Sequence, residues 1–144
     1  MKISTKGRYA LIFMLDMALS DGSEPVKVKD ISARRGISVK YLEQIVSVLN
    51  KAGYVRSVRG AQGGYLLAKK PEEYTVGMIL RLSEGSLAPV SCLDSDDNPC
   101  ERAGRCVTLR LYAEINAAVN SVVDRITLAD MAAWERENLS AEQS

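Results

Sequence analysis

Three features of this 144-residue sequence predict a mainly α fold with a small β-hairpin, of winged helix-turn-helix build with a long dimerisation helix appended. A pair of helical segments meets at a glycine turn, a glycine-rich hairpin follows it, and the last third carries a heptad-like apolar seam.

Residues 5–20, TKGRYALIFMLDMALS, place apolar side chains at 9, 11, 12, 15, 18 and 19, a helical stripe. Thr5 is expected to cap its start and the Asp21-Gly22 turn to end it. Residues 26–36 predict a short second helix closed by Gly36. Ser38 opens a third, SVKYLEQIVSVLNKAG, with Leu42, Ile45, Val46 and Leu49 on one face and Gly53 past its end. Two strands are expected at about 54–59 and 64–68. They are joined by a loop whose Gly60, Gly63 and Gly64 permit positive φ.

Residues 75–85 predict a short helix capped by Thr75, and Ser86–Arg105 reads as an irregular stretch rich in Asp, Gly, Pro and Ser. A long helix is expected from Val107 to about Arg125. Its Leu111, Ile115, Ala118, Val122 and Ile126 form the seam that a second copy would cover. Thr127 caps a last helix, LADMAAWERE. The division expected is therefore 1–85 as the winged helix-turn-helix domain, 86–106 as a cysteine-containing loop, and 107–144 as the dimerisation and C-terminal helices.

With one Phe and one Trp, the core has to be built from aliphatic side chains. The longest apolar run, Tyr9 to Leu15, is far too short to span a bilayer, and the expected location is the cytoplasm. Residues 1–75 hold thirteen Lys/Arg against seven Asp/Glu, a charge of +6, whereas 76–144 hold six against eleven, a charge of −5. Such a split suggests that the first half faces a polyanion and the second does not. The absence of histidine removes the usual general base and the commonest metal ligand.

In a helix-turn-helix the start of the second helix enters the major groove of DNA. Here that start offers Ser38, Lys40, Tyr41, Glu43 and Gln44. Ser38, Lys40 and Tyr41 suit phosphates at a helix N-terminus, and Gln44 can read adenine bidentately. Glu43 costs attraction to phosphate; it makes sense as an acceptor for cytosine N4 or as a rejector of wrong sequences, unless it points elsewhere. The hairpin carries Arg56, Arg59 and Gln62 around a tip of small residues, a shape suited to a narrow, negative minor groove. Lys6 and Arg8, with Lys2, add backbone contacts from the first helix.

Cys92, Cys100 and Cys106 are the protein's only cysteines, spaced Cys-x7-Cys-x5-Cys within fifteen residues. Clustering of this kind points to metal, cluster or redox sensing. The paired spacing of structural zinc is missing, and three thiolates on one loop suit an iron–sulfur cluster. With no fourth Cys and no His, the fourth ligand has to be carboxylate, hydroxyl, backbone or solvent.

The stretches MKISTKGRYAL, DISARRGISVKYLEQIVSVLNKAG, VRSVRGAQGGYLLAK and NSVVDRITLADM cover most of residues 1–131, and their RG-x-x-GGY-x-L wing is specific. On them the sequence resembles the bacterial winged-helix regulator family that includes the iron–sulfur regulator IscR, the nitric-oxide sensor NsrR and the cysteine-metabolism regulator CymR, and is most like the IscR type. The resemblance implies a homodimer with helix 107–125 crossing between subunits, and Cys92, Cys100 and Cys106 as cluster ligands. It implies [2Fe-2S] first and [4Fe-4S] second. The chain departs from the enterobacterial pattern at Leu109, where a histidine stands, and in its longer first cysteine spacing. CymR-like members bind no cluster and lack the trio.

The expected function is a sequence-specific DNA-binding regulator, a repressor or dual regulator, whose operator binding is controlled by the cluster. The alternative is a DNA-binding regulator that senses through thiol redox or a protein partner without one. An enzyme is not expected: there is no Cys-x-x-Cys and no base near a thiol. A module that only docks proteins would not need the +6 half.

Overall fold

The computed structural model describes residues 2–97 and 100–143. Helices α1 (Thr5–Leu19), α2 (Val28–Arg35) and α3 (Val39–Lys51) lead into strands β1 (Val55–Val58) and β2 (Gly64–Leu67). Then come α4 (Val76–Glu84), α5 (Val107–Arg125) and α6 (Leu128–Glu142), with single 3-10 turns at Pro71–Glu73, Ser91–Leu93 and Ala103–Arg105. The architecture is mainly α with one antiparallel hairpin, as expected. Asn98 and Pro99, part of the predicted irregular stretch, lie outside the described residues.

The start of α1 departs from expectation. Ser4, not Thr5, is its cap, its Oγ accepting from the Gly7 N–H at 3.1 Å. The expected stripe is also displaced: Ala10, Phe13, Met14 and Met17 are buried with Leu15 and Ala18, while Tyr9, Leu11, Ile12 and Leu19 are only partly so. The reason is packing. α1 touches α3, α4, α6 and β2, and a helix covered on several sides has no single stripe.

α2 and α3 meet as predicted. Gly36 takes φ 68°, a left-handed conformation that ends α2, and its N–H reaches the Ser32 carbonyl. Ser38 caps α3, which buries Leu42, Ile45, Val46 and Leu49. These four side chains and the buried side chains of α1 make most of the core, so α3 is anchored along its whole length. At ~1.5–3 kcal/mol per fully buried aliphatic side chain, that face outweighs any single polar contact α3 makes.

The hairpin pairs Val55 with Leu67 through Val58 with Gly64. Gly60 has φ 104°, but Gly63 does not need positive φ: a Cβ there would lie 2.1 Å from the Val58 carbonyl oxygen. Its smallness serves close backbone approach instead.

Thr75 caps α4 and Thr127 caps α6, and the two caps face each other across an antiparallel bridge. The Val76 N–H donates to the Ile126 carbonyl at 2.9 Å, and the Leu128 N–H donates to the Tyr74 carbonyl at 2.8 Å. This stitch returns α6 to the first half of the chain, where Leu128 and Ala132 join the core. α6 also runs on to Glu142, beyond the expected end.

Candidate nucleic-acid interface and cysteine loop

Lys40, Glu43 and Gln44 are exposed in the first two turns of α3, opposite its buried face. The Ser38 Oγ accepts from the Tyr41 N–H at 3.2 Å, so the hydroxyl expected to meet phosphate closes the first turn of α3. Tyr41 is half-buried, its ring edge-on to Tyr9 at 5.5 Å and 89°. Lys6 and Arg8 are exposed on α1, Arg56 on β1, and Arg59 and Gln62 at the hairpin tip.

The hairpin is joined to the helix-turn-helix by contacts that periodicity does not encode. Val26 exchanges both backbone hydrogen bonds with Tyr65 at 2.9 Å, adding a short third edge to the sheet just before α2. Gly64 permits this approach, since a Cβ there would meet the Val26 carbonyl oxygen at 2.5 Å. The Lys27 Nζ donates to the Ala61 carbonyl at the tip, 3.1 Å away. Wing and helices are thereby one body.

Beneath α2 lies a charged node the sequence reading missed. Asp16 of α1 is 5% exposed and accepts from Arg35 Nε at 2.9 Å and from Arg34 Nη2 at 3.3 Å. Arg35 also approaches Glu135 of α6 at 3.7 Å. The hydrogen bond to Asp16 holds the Arg35 guanidinium further above its ordinary range. A single acid inside the apolar run FMLDMAL was the available signal, because a buried carboxylate needs a partner.

In the second half, Cys92 lies in the turn Ser91–Leu93 and is half-buried, Cys100 is exposed, and Cys106 is half-buried at the residue that opens α5. The Cys106 Sγ lies 3.3 Å from Thr108 Oγ1. That hydroxyl, together with the N–H groups at the start of α5 and the nearby Arg102, holds the Cys106 thiol below its ordinary range. The donor set fits an iron–sulfur group in kind, with three soft thiols on one segment. Among the described residues, however, no three Cys, Asp or Glu side chains converge as a ready-made metal site. Leu109 lines a surface groove with Cys106, Arg105 and Arg110.

On α5, no described residue is fully buried. Leu111 is 54% and Val122 46% exposed, Ala118 is exposed, and Ile115 is half-buried. Ile126 departs from the expected seam: it sits in extended backbone beyond the helix, so the helical seam ends at Val122. No helix is long and apolar enough to cross a membrane among the described residues.

The model of the family described as "Rrf2: Iron-dependent Transcriptional regulator" matches residues 3–134. The HTH-type transcriptional regulator CymR of Bacillus subtilis is 43% identical over 134 residues, 93% of this chain and 91% of that protein. The HTH-type transcriptional regulator IscR of Aliivibrio salmonicida is 43% identical over 131 residues, 91% of this chain and 77% of that protein. Among solved structures, T. potens IscR superposes with a TM-score of 0.78 at 43% identity, covering 96% of this chain and 90% of that one.

Proposed function

Because the chain belongs to the Rrf2 family of DNA-binding transcriptional regulators, we propose that it is a dimeric, sequence-specific regulator whose operator affinity is set by an iron–sulfur cluster on Cys92, Cys100 and Cys106. The observation that carries the cluster is the placement of all three thiols within fifteen residues, the last of them at the residue where α5 begins. When bound, the cluster supplies a redox-sensitive link among three thiolates.

The chain's own residues supply the rest. The start of α3, with Lys40, Tyr41 and Gln44, enters the major groove, and Ser38 sets its first turn. Gln44 reads adenine, and Glu43 rejects sequences that leave its carboxylate unpaired. Arg59 and Gln62 enter the minor groove, with Arg56, Lys6 and Arg8 on the flanking backbone. Leu111, Ile115, Ala118 and Val122 are covered by the second copy's α5, with Ile126 at the edge of that contact. Such a protein works in the cytoplasm and is not an enzyme.

A second reading, control through thiol redox or a protein partner without a cluster, stands beside it because CymR is as similar to this chain as IscR is. Iron decides between them. Protein purified without oxygen should be coloured and carry iron, with an absorption spectrum that separates [2Fe-2S] from [4Fe-4S]. Replacing Cys92, Cys100 and Cys106 together by Ala should remove both iron and the effector-dependent part of operator binding. Iron-free wild-type protein would eliminate the cluster reading and leave the thiol one.

A further inference from the structure

We propose that Arg81 is a positioning residue that fixes the pitch of α5 on the reading domain, and through it the half-site spacing the dimer accepts. The proposal rests on the dimer reading above and goes beyond it by naming the joint.

With no fully buried residue, α5 has few deep contacts to set its angle. Its polar attachment to α4 is correspondingly specific. Arg81 donates from Nη1 to Asp124 Oδ1 at 2.6 Å and from Nη2 to Asp124 Oδ2 at 3.0 Å. The same Nη2 donates to Asn120 Oδ1 at 2.8 Å. Asn120 and Asp124 are four residues apart, so one planar fork reads two successive turns of α5 on one face. A slide or rotation of α5 by a single residue would break all three bonds.

The neighbouring glycine is cut to the same shape. Gly77 lies one turn before Arg81, and a Cβ there would fall 2.3 Å from Asp124 Oδ1 and 2.6 Å from Arg81 Nη1. Asp124 is held below the usual carboxylate range by its hydrogen bond from Arg81, so the pair stays charged at neutral pH. Both side chains are more than a third exposed, so screening leaves the pair little weight in overall stability. Its contribution is geometric: a bidentate fork specifies direction as well as distance.

The leverage is large. Nineteen helical residues span roughly 28 Å, so a tilt of about 7° moves the far end by about 3.4 Å, the rise of one base pair. Half-sites about one DNA turn apart are matched only if that tilt is held.

The experiment uses the full-length protein and a duplex selected by the wild type from a random pool, remade with one base pair inserted or removed between half-sites. Wild type should lose about tenfold in affinity on either change. R81K, D124N and G77A should each lose less than about threefold, while binding a single half-site duplex as the wild type does. G77A carries particular weight, since it alters no charge and favours the helix. The proposal is overturned if the variants keep the wild-type spacing preference, or if half-site and full-site affinities fall together. A wild type that sediments as a monomer removes the dimer reading, and this proposal with it, before any variant is made.

Discussion

The hydroxyl of Tyr74 donates to the Tyr54 carbonyl at 2.7 Å and accepts from the Lys69 N–H at 3.0 Å, so one buried side chain ties together the residues that flank the two strands at the base of the wing. Tyr74 is 0% exposed, and its ring meets that of Tyr54 at 5.7 Å. It stands directly before Thr75, where α4 begins, and so links the wing base to the stitch that holds α6.

Tyr74→Phe should therefore cost about 1–2 kcal/mol in unfolding free energy, the scale of a buried bond lost with its partners left in place. Burial pushes the Tyr74 phenol up from its ordinary value. With the folded value above the unfolded one, this contribution is intact below about pH 10 and is lost as pH rises through the folded value. Denaturant unfolding at pH 7 and above pH 10 checks both points: the gap between wild type and Tyr74→Phe should narrow at high pH. No gap at pH 7 would mean the hydroxyl contributes nothing specific, and a gap that persists unchanged at high pH would remove the assigned pH dependence.

Arg59→Ala should weaken operator binding by roughly 1–3 kcal/mol, the scale of one good base or groove contact. Fluorescence anisotropy at moderate salt reads this directly. The lost affinity should be greatest on duplexes with an A·T tract under the wing, because a narrow groove concentrates negative potential. Equal affinity for wild type and variant would remove Arg59 from the contact.

Glu43→Ala should bind a wider set of sequences than wild type while keeping its best site. In the proposed groove contact, this exposed carboxylate on the first turns of α3 would repel phosphate and need a donor on the base it faced. Selection from a random duplex pool, sequenced for both proteins, measures the change. Uniform loss across all sites would assign Glu43 an attractive role instead.

Much of the helix-turn-helix was legible because its signals are local. The face Leu42, Ile45, Val46 and Leu49 repeats at helical spacing on a helix covered from one side, and Gly36, Ser38, Thr75 and Thr127 are terminators that act on their own neighbours. The limits of α5 followed from the same logic. α1 was harder, because a helix enclosed by α3, α4 and α6 buries residues around most of its circumference and periodicity loses its meaning.

The sequence by itself determined which segments become helices and hairpin, where the basic half ends, and that the three thiols share one loop. Tertiary structure alone decided the pairs that join those segments: Asp16 with Arg34 and Arg35, Tyr74 with Tyr54, Lys27 with the Ala61 carbonyl, Arg81 with Asp124. Helix and strand preferences depend on residues a few positions apart. A charge or hydroxyl chooses a partner 18 to 43 positions away only after docking brings the two together and removes the water that would otherwise satisfy them.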